Sequence, residues 1–254
     1  AVTFTNKAAR EMQERLSDTL GKRAAGEVHI GTFHALCLKL IHDWGEEPVV
    51  LGEMEAAGLI GEIAAKLHVP TSPQKLLEGI SRRKNGLPQN AQEEIPQELW
   101  EEYQQCLSRM NAVDYDDILL RVLEKFEEGE LDARIYRSFR HLCVDEFQDI
   151  NGVQYRLICA MGKGSESIFV IGDPDQSIYG FRGADAACFE RLLCDFPQAQ
   201  LIRLSENYRS TPEILSCALA AIRPNATLQE RVLNPHREEG QAVRLAEMPD
   251  ELSQ

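Results

Sequence analysis

The chain has 254 residues, 43% of them hydrophobic and 27% charged, which is ordinary for a soluble globular protein of one large or two small domains. It has no run of about 18 apolar residues and no signal-peptide pattern, so no membrane span or secretion leader is expected. Its seven cysteines include no C-x-x-C pair, which argues against a zinc or disulfide framework and for a reducing cytoplasm. The net charge of −14 argues against broad electrostatic binding of nucleic acid, but it is uneven: +2 over residues 1–40, −6 over 41–110 and −10 over 111–254, so any such contact must be local.

Taken in chain order, Ala1–Thr5 is apolar and β-branched and reads as a strand. Thr5 or Asn6 can cap the helix that follows, from Lys7 to Leu20, with Ala8, Met12, Leu16 and Leu20 on one face and Gly21 as its end. A second strand, Val28–Ile30, leads into a helix capped by Thr32 and carrying Leu36, Leu40 and Ile41. Strand then helix, twice, predicts a parallel α/β sheet.

Over residues 43–110 strands give way to helices, near Met54–Leu67, after Ser72-Pro73, and near Gln97–Met110. This stretch reads as a helical insertion. Its Arg82-Arg83-Lys84-Asn85-Gly86 run reads as a solvated basic turn, with duplex DNA contact as the alternative for the three cations. The α/β pattern resumes with a helix from Tyr115 to Phe126, an apolar strand at His141–Val144, and a helix from Gln154 to Met161. A strand at Ser167–Gly172 and another at Leu201–Leu204 follow, with a short possible strand at Ala242–Leu245.

Three strand ends carry candidate chemistry. Asp145 and Glu146 follow the first, where open α/β sheets place ligands; one carboxylate can hold Mg²⁺ and the other can activate a water. Gly172-Asp173-Pro174-Asp175-Gln176 follows the second, where a glutamine can meet a phosphate. Tyr179 and Phe181, two apart and followed by Arg182, suit stacking on unpaired bases, with core packing as the alternative for the two aromatics. Arg209, in Ser205–Pro212, can reach a transferring phosphate, with an ordinary surface arginine as the alternative.

AVTFTNKAAREM, GTFHALCLKLI, VDYDDIL, VDEFQDIN, VIGDPDQSIYGFRGA and LSENYRST occur in that order. Together they resemble successive motifs of the UvrD/Rep/PcrA family of superfamily-one DNA helicases. The resemblance implies a RecA-like parallel-sheet motor domain over residues 1–42 and 111–220. It also implies a helical insertion subdomain over 43–110, and a linker with the possible start of a second motor domain over 221–254. It implies ATP and Mg²⁺ as cofactors, with Asp145 as the magnesium ligand and Glu146 as the catalytic base. Gln176 resembles the γ-phosphate sensor, Arg209 the arginine that stabilises that phosphate, and Tyr208 the residue that stacks on adenine. Phe4, Thr5, Asn6, Thr32, Phe33 and His34 match segments that contact single-stranded DNA, with a packed or capping histidine as the alternative for His34. Tyr179, Phe181 and Arg182 match the segment whose aromatics stack on bases; Phe181 stands where many members have tryptophan.

The expected activity is ATP-dependent 3′-to-5′ translocation on single strands and at duplex junctions, in repair or replication, with repair proteins as possible partners. The family's G-x-x-G-x-G-K-T type phosphate loop has no counterpart in the sequence. The expectation is therefore a piece of a longer motor that binds ATP weakly alone. The competing reading is a non-catalytic DNA- or partner-binding relic, and a nuclease-fused relative is a third.

Overall fold

The computed structural model describes residues 1–88, 94–129, 135, 139–178, 180, 184, 187–223 and 232–244. They fall into two compact units, residues 1–173 with 177–191, and residues 174–176 with 192–254.

The first unit is organised by parallel strands. β3 (His141–Val144) pairs with β4 (Ser167–Val170) in register from His141↔Ser167 to Val144↔Val170. On the other side of β3, Val2 N–H donates to Cys143 O at 2.8 Å and Asp145 N–H donates to Val2 O at 2.9 Å. Beyond that, Thr3 N–H donates to Gly31 O at 3.0 Å. The order is thus Gly31, Val2, β3, β4, all parallel. Both N-terminal strands predicted from the sequence are present only as single bridged positions, and the second is centred on Gly31 rather than on Val28–Ile30.

Helices follow the strand ends. α1 (Asn6–Leu20) is capped by Thr5, whose hydroxyl accepts from Ala8 N–H at 3.1 Å, and it stops at Gly21, where φ is 84°. Only glycine takes that backbone conformation without strain. A short α2 (Lys22–Gly26) precedes α3 (Phe33–Asp43), capped by Thr32 through Ala35 N–H at 3.2 Å. α7 (Tyr115–Glu128) buries Ile118, Leu119, Val122, Leu123 and Phe126, an i, i+4 stripe, against α3 and α8 (Gly152–Gly162).

The helical segment begins and ends at one place. β1 (Val49–Val50) pairs in parallel with β2 (Ala112–Val113). Between them α4 (Glu53–Lys66), α5 (Pro73–Lys84) and α6 (Gln97–Arg109) share a core of Ile60, Ile63, Leu76, Ile80, Leu99, Tyr103 and Leu107. Ser72 occupies the cap position of α5, but its side chain makes no capping bond.

The basic run at the end of α5 is not a solvated turn. The Lys84 side chain is 2% exposed, with Nζ 2.7 Å from Asp114 Oδ2 and 2.5 Å from Asp117 Oδ1. Arg82 donates to Pro88 O, and Arg83 lies over the Trp100 ring at 4.3 Å. Lys84 is thereby removed from the DNA-contact candidates: no phosphate can reach its ammonium without displacing two carboxylates.

In the second unit, β5 (Glu206–Asn207) pairs with β6 (Asn234–Pro235), and α9 (Pro212–Ile222) lies between them in the chain. The strand predicted at Leu201–Leu204 does not form; Leu201, Ile202 and Leu204 are exposed and lie in no regular element. Apolar β-formers make a strand only where a neighbour completes the ladder, and here the neighbour meets the chain two residues later. Residues 242–244 are likewise not in a strand; Leu245 lies outside the described residues.

Candidate functional site

The C-terminal edge of the parallel sheet gathers four chain segments: Thr3–Asn6, Gly31–His34, Asp145–Asp149 and Ile171–Asp173. Asp145 is held by its backbone bond to Val2, with its side chain half-buried. Burial pushes its carboxyl above the ordinary aspartate value and the neighbouring charge of Glu146 adds to this, against a bond from Glu146 N–H that lowers it. Glu146 is exposed and sits in left-handed backbone, φ 52° and ψ 45°. A non-glycine residue there carries on the order of 1–3 kcal/mol of strain, which persists only where the surroundings impose it.

The surroundings do impose it. Phe147 is fully buried, edge-on to Phe189 with ring centroids 4.9 Å apart and to Tyr155 at 6.4 Å, and its N–H donates to Ile171 O at 2.9 Å. Gln148, only 3% exposed, turns its side chain back into the turn. Its Nε2 donates to Glu146 Oε2 at 2.6 Å, and its Oε1 accepts from Asp173 N–H at 2.9 Å. Ser177 Oγ donates to the Gln148 carbonyl at 3.1 Å. Gly172 makes this approach possible: a Cβ there would lie 2.6 Å from Gln148 Oε1 and 2.9 Å from Phe147 N. Gln148 was within the quoted motif but carried no assigned role. Sequence alone gives no signal that its amide faces inward.

Asp149 completes an acidic turn. Its Oδ1 is buried without a hydrogen bond among the described residues, and burial, then the Glu146 charge, raise its carboxyl. Among the described residues no three ligating side chains gather to form a metal cage. Magnesium needs no such cage: it keeps several waters and takes one or two carboxylates plus substrate phosphates. Asp145 fits as that carboxylate.

Of the residues matched to DNA contact, Thr5 and Thr32 spend their hydroxyls capping α1 and α3, and Thr5 and Asn6 are exposed. Phe4 is half-buried. Phe33 is 4% exposed and packs in the core. His34 is half-buried and edge-on to Tyr115 at 5.7 Å; burial lowers its pKa, opposed by Asp116. Tyr179, Phe181 and Arg182 lie outside the described residues.

Gln176, Tyr208 and Arg209 belong to the second unit. Gln176 is exposed, in the single turn Pro174–Gln176. Tyr208 is 70% exposed, and one face of its ring stacks on His236 at 4.4 Å and 19°. His236 is bonded in turn to the Glu206 carboxylate, which also accepts from Asn234 Nδ2 at 2.7 Å and lies below the ordinary glutamate range because of those bonds. The Arg209 backbone is fixed by its N–H donating to Asn207 Oδ1 at 3.1 Å and by Arg237 donating to its carbonyl at 3.0 Å. Its guanidinium is exposed. His236 reaches the Tyr208 ring from 28 residues away, which no local sequence pattern signals, whereas Glu206, two residues before Tyr208, meets it only through His236.

A parallel α/β sheet with an acidic pair at its C-terminal edge and a helical insertion is the architecture of a nucleotide-driven motor domain. The model of the UvrD/REP helicase N-terminal domain matches residues 1–197, and the chain belongs to that family of DNA helicases. It is similar to the ATP-dependent DNA helicase PcrA of Leuconostoc citreum, 35% identical over 244 residues covering 89% of this chain and 33% of that protein. It is also similar to PcrA of Bacillus subtilis, 31% identical over 259 residues (94% and 35%), and of Staphylococcus aureus, 33% identical over 245 residues (89% and 33%). The chain spans about a third of the length of these relatives.

Proposed function

We propose that the protein to which this chain belongs hydrolyses ATP with Mg²⁺ to move 3′-to-5′ along single-stranded DNA and into duplex junctions, serving repair or replication in the cytoplasm alongside repair-protein partners. The observation that carries this reading is the pair Asp145–Glu146, delivered by a buried parallel strand to the sheet edge and held there in strained backbone. Asp145 would hold the magnesium ion, whose charge, when bound, neutralises the phosphate oxygens. Glu146 accepts the proton of the attacking water, Gln176 contacts the γ-phosphate, Arg209 stabilises its developing charge, and Tyr208 stacks on adenine with the face opposite His236. Phe4, Thr5, Asn6, Thr32, Phe33 and His34 belong to the segments that contact the DNA, beside two helix N-termini that favour phosphate, while Tyr179 and Phe181 stack on bases and Arg182 supplies a cation for the backbone. Helical residues 43–110 form a subdomain inserted into the motor formed by 1–42 and 111–220, and residues 221–254 lead toward a second motor domain.

The test is DNA-stimulated ATPase of the full-length gene product. Glu146→Gln should lower kcat by about 10²–10⁴-fold; unchanged turnover would overturn the reading. These 254 residues contain no glycine-lysine phosphate loop, so the isolated chain should bind Mg-ATP weakly. Micromolar affinity by calorimetric titration would contradict that.

A further inference from the structure

The geometry points to Gln148 as the positioning residue that ties the catalytic carboxylate of Glu146 to the Gly172–Asp173 loop, an inference that rests on the ATPase reading. Two chain segments must stay in register for hydrolysis to respond to the bound phosphate: the turn bearing Glu146, and the loop that leads from β4 toward Gln176. Gln148 joins them with one side chain. Its amide nitrogen reaches Glu146 Oε2 at 2.6 Å while its amide oxygen takes Asp173 N–H at 2.9 Å. Only this orientation of the amide satisfies both neighbours, since a carboxylate needs a donor and a backbone N–H needs an acceptor.

The amide is locked from every side. It is 3% exposed, the carbonyl of the same residue accepts from Ser177, and Gly172 lies so close that a methyl group would collide with it. A neutral amide suits this place better than any charged side chain. Lysine or arginine would neutralise the base; an acid would repel it. The bond to Nε2 occupies Oε2 and leaves Oε1 of Glu146 to meet a water. A shift of the Gly172–Asp173 loop therefore pulls on the carboxylate itself.

Gln148→Glu keeps side-chain length and the acceptor for Asp173 N–H while replacing the donor to Glu146 with a repelling acid, and Gln148→Met, which adds no charge, separates loss of the bond from that repulsion. In the full-length protein, kcat for DNA-stimulated ATP hydrolysis should fall about 10²-fold with KM for ATP within about twofold, since the base is misplaced and the nucleotide contacts remain. Gln148→Met, which removes both bonds, and Gly172→Ala, which displaces the amide, should each show the same split between kcat and KM. A merely structural role predicts lower thermal stability with kcat and KM unchanged in whatever folds, and that result overturns the proposal. If Gln148→Met or Gly172→Ala does not fold, Gln148→Glu alone decides. Loss of turnover in Glu146→Gln with normal kcat in Gln148→Glu would refute the positioning role and leave the ATPase reading intact. Unchanged turnover in Glu146→Gln would refute both.

Discussion

Two acidic turns in this chain have almost the same spelling and opposite physics. Val113-Asp114-Tyr115-Asp116-Asp117 opens α7, and Val144-Asp145-Glu146-Phe147-Gln148-Asp149 follows β3. In the first, every carboxylate is answered. Asp114 accepts from Tyr103 Oη at 2.9 Å and caps α7 through Asp117 N–H at 3.0 Å, and with Asp117 it holds the buried Lys84. Asp116 accepts from Asn85 Nδ2 at 2.8 Å, and Asn85 Oδ1 accepts in turn from Asn151, the cap of α8. In the second turn no cationic side chain among the described residues pairs with Asp145, Glu146 or Asp149, and the backbone is strained. The first cluster is neutralised and structural; the second, without a cationic partner among the described residues, is where we propose that a cation and a substrate bind.

The largest expected effect would come from breaking the satisfied cluster. Lys84→Met leaves two carboxylates buried without their cation, and should cost about 3–5 kcal/mol in urea denaturation; a loss below 1 kcal/mol would make this cluster no different from a surface pair. The second turn should behave in the opposite way. Glu146→Gln should lie within about 0.5 kcal/mol of the native protein in the same assay while lowering turnover by about 10²–10⁴-fold, since no ion pair is lost. A milder probe is Asn85→Ala, which removes the link from α5 to Asp116 and Asn151 and should cost about 1–2 kcal/mol.

The smallest effect is in pH. Asp145 and Asp149 are raised above the ordinary value of 3.8, burial first and the Glu146 charge contributing. The folded state therefore holds their protons more tightly than the unfolded chain does. Their contribution to stability is full below 3.8 and is lost as pH rises through their folded values. Removing the Glu146 charge should shallow that loss, measured as the pH dependence of unfolding in Glu146→Gln against the native protein. An unchanged slope would mean that Glu146 does not share a field with its two neighbours.

Much of the frame was legible locally. Thr5 and Thr32 as caps, Gly21 as a stop, the apolar stripe of α7 and the buried run ending at Asp145 depend on residues within a turn or two of each other, where periodicity and capping chemistry act directly. The matching of six ordered motifs added the family. Sequence misjudged whatever depended on a distant neighbour. Leu201–Leu204 has strand-forming residues but no partner strand among the described residues, and the basic run ending in Lys84 reads as solvated yet its ammonium is buried between two carboxylates.

By itself, then, the sequence determined which residue types stand at the ends of the strands, because a carboxylate pair after a buried apolar run is a matter of adjacency. Tertiary structure alone decided which charges are answered. Lys84 meets Asp114 across 30 residues, Gln148 meets Asp173 across 25, and Tyr208 meets His236 across 28. Burial and hydrogen bonding act through space, and only the folded chain brings those groups within reach of one another.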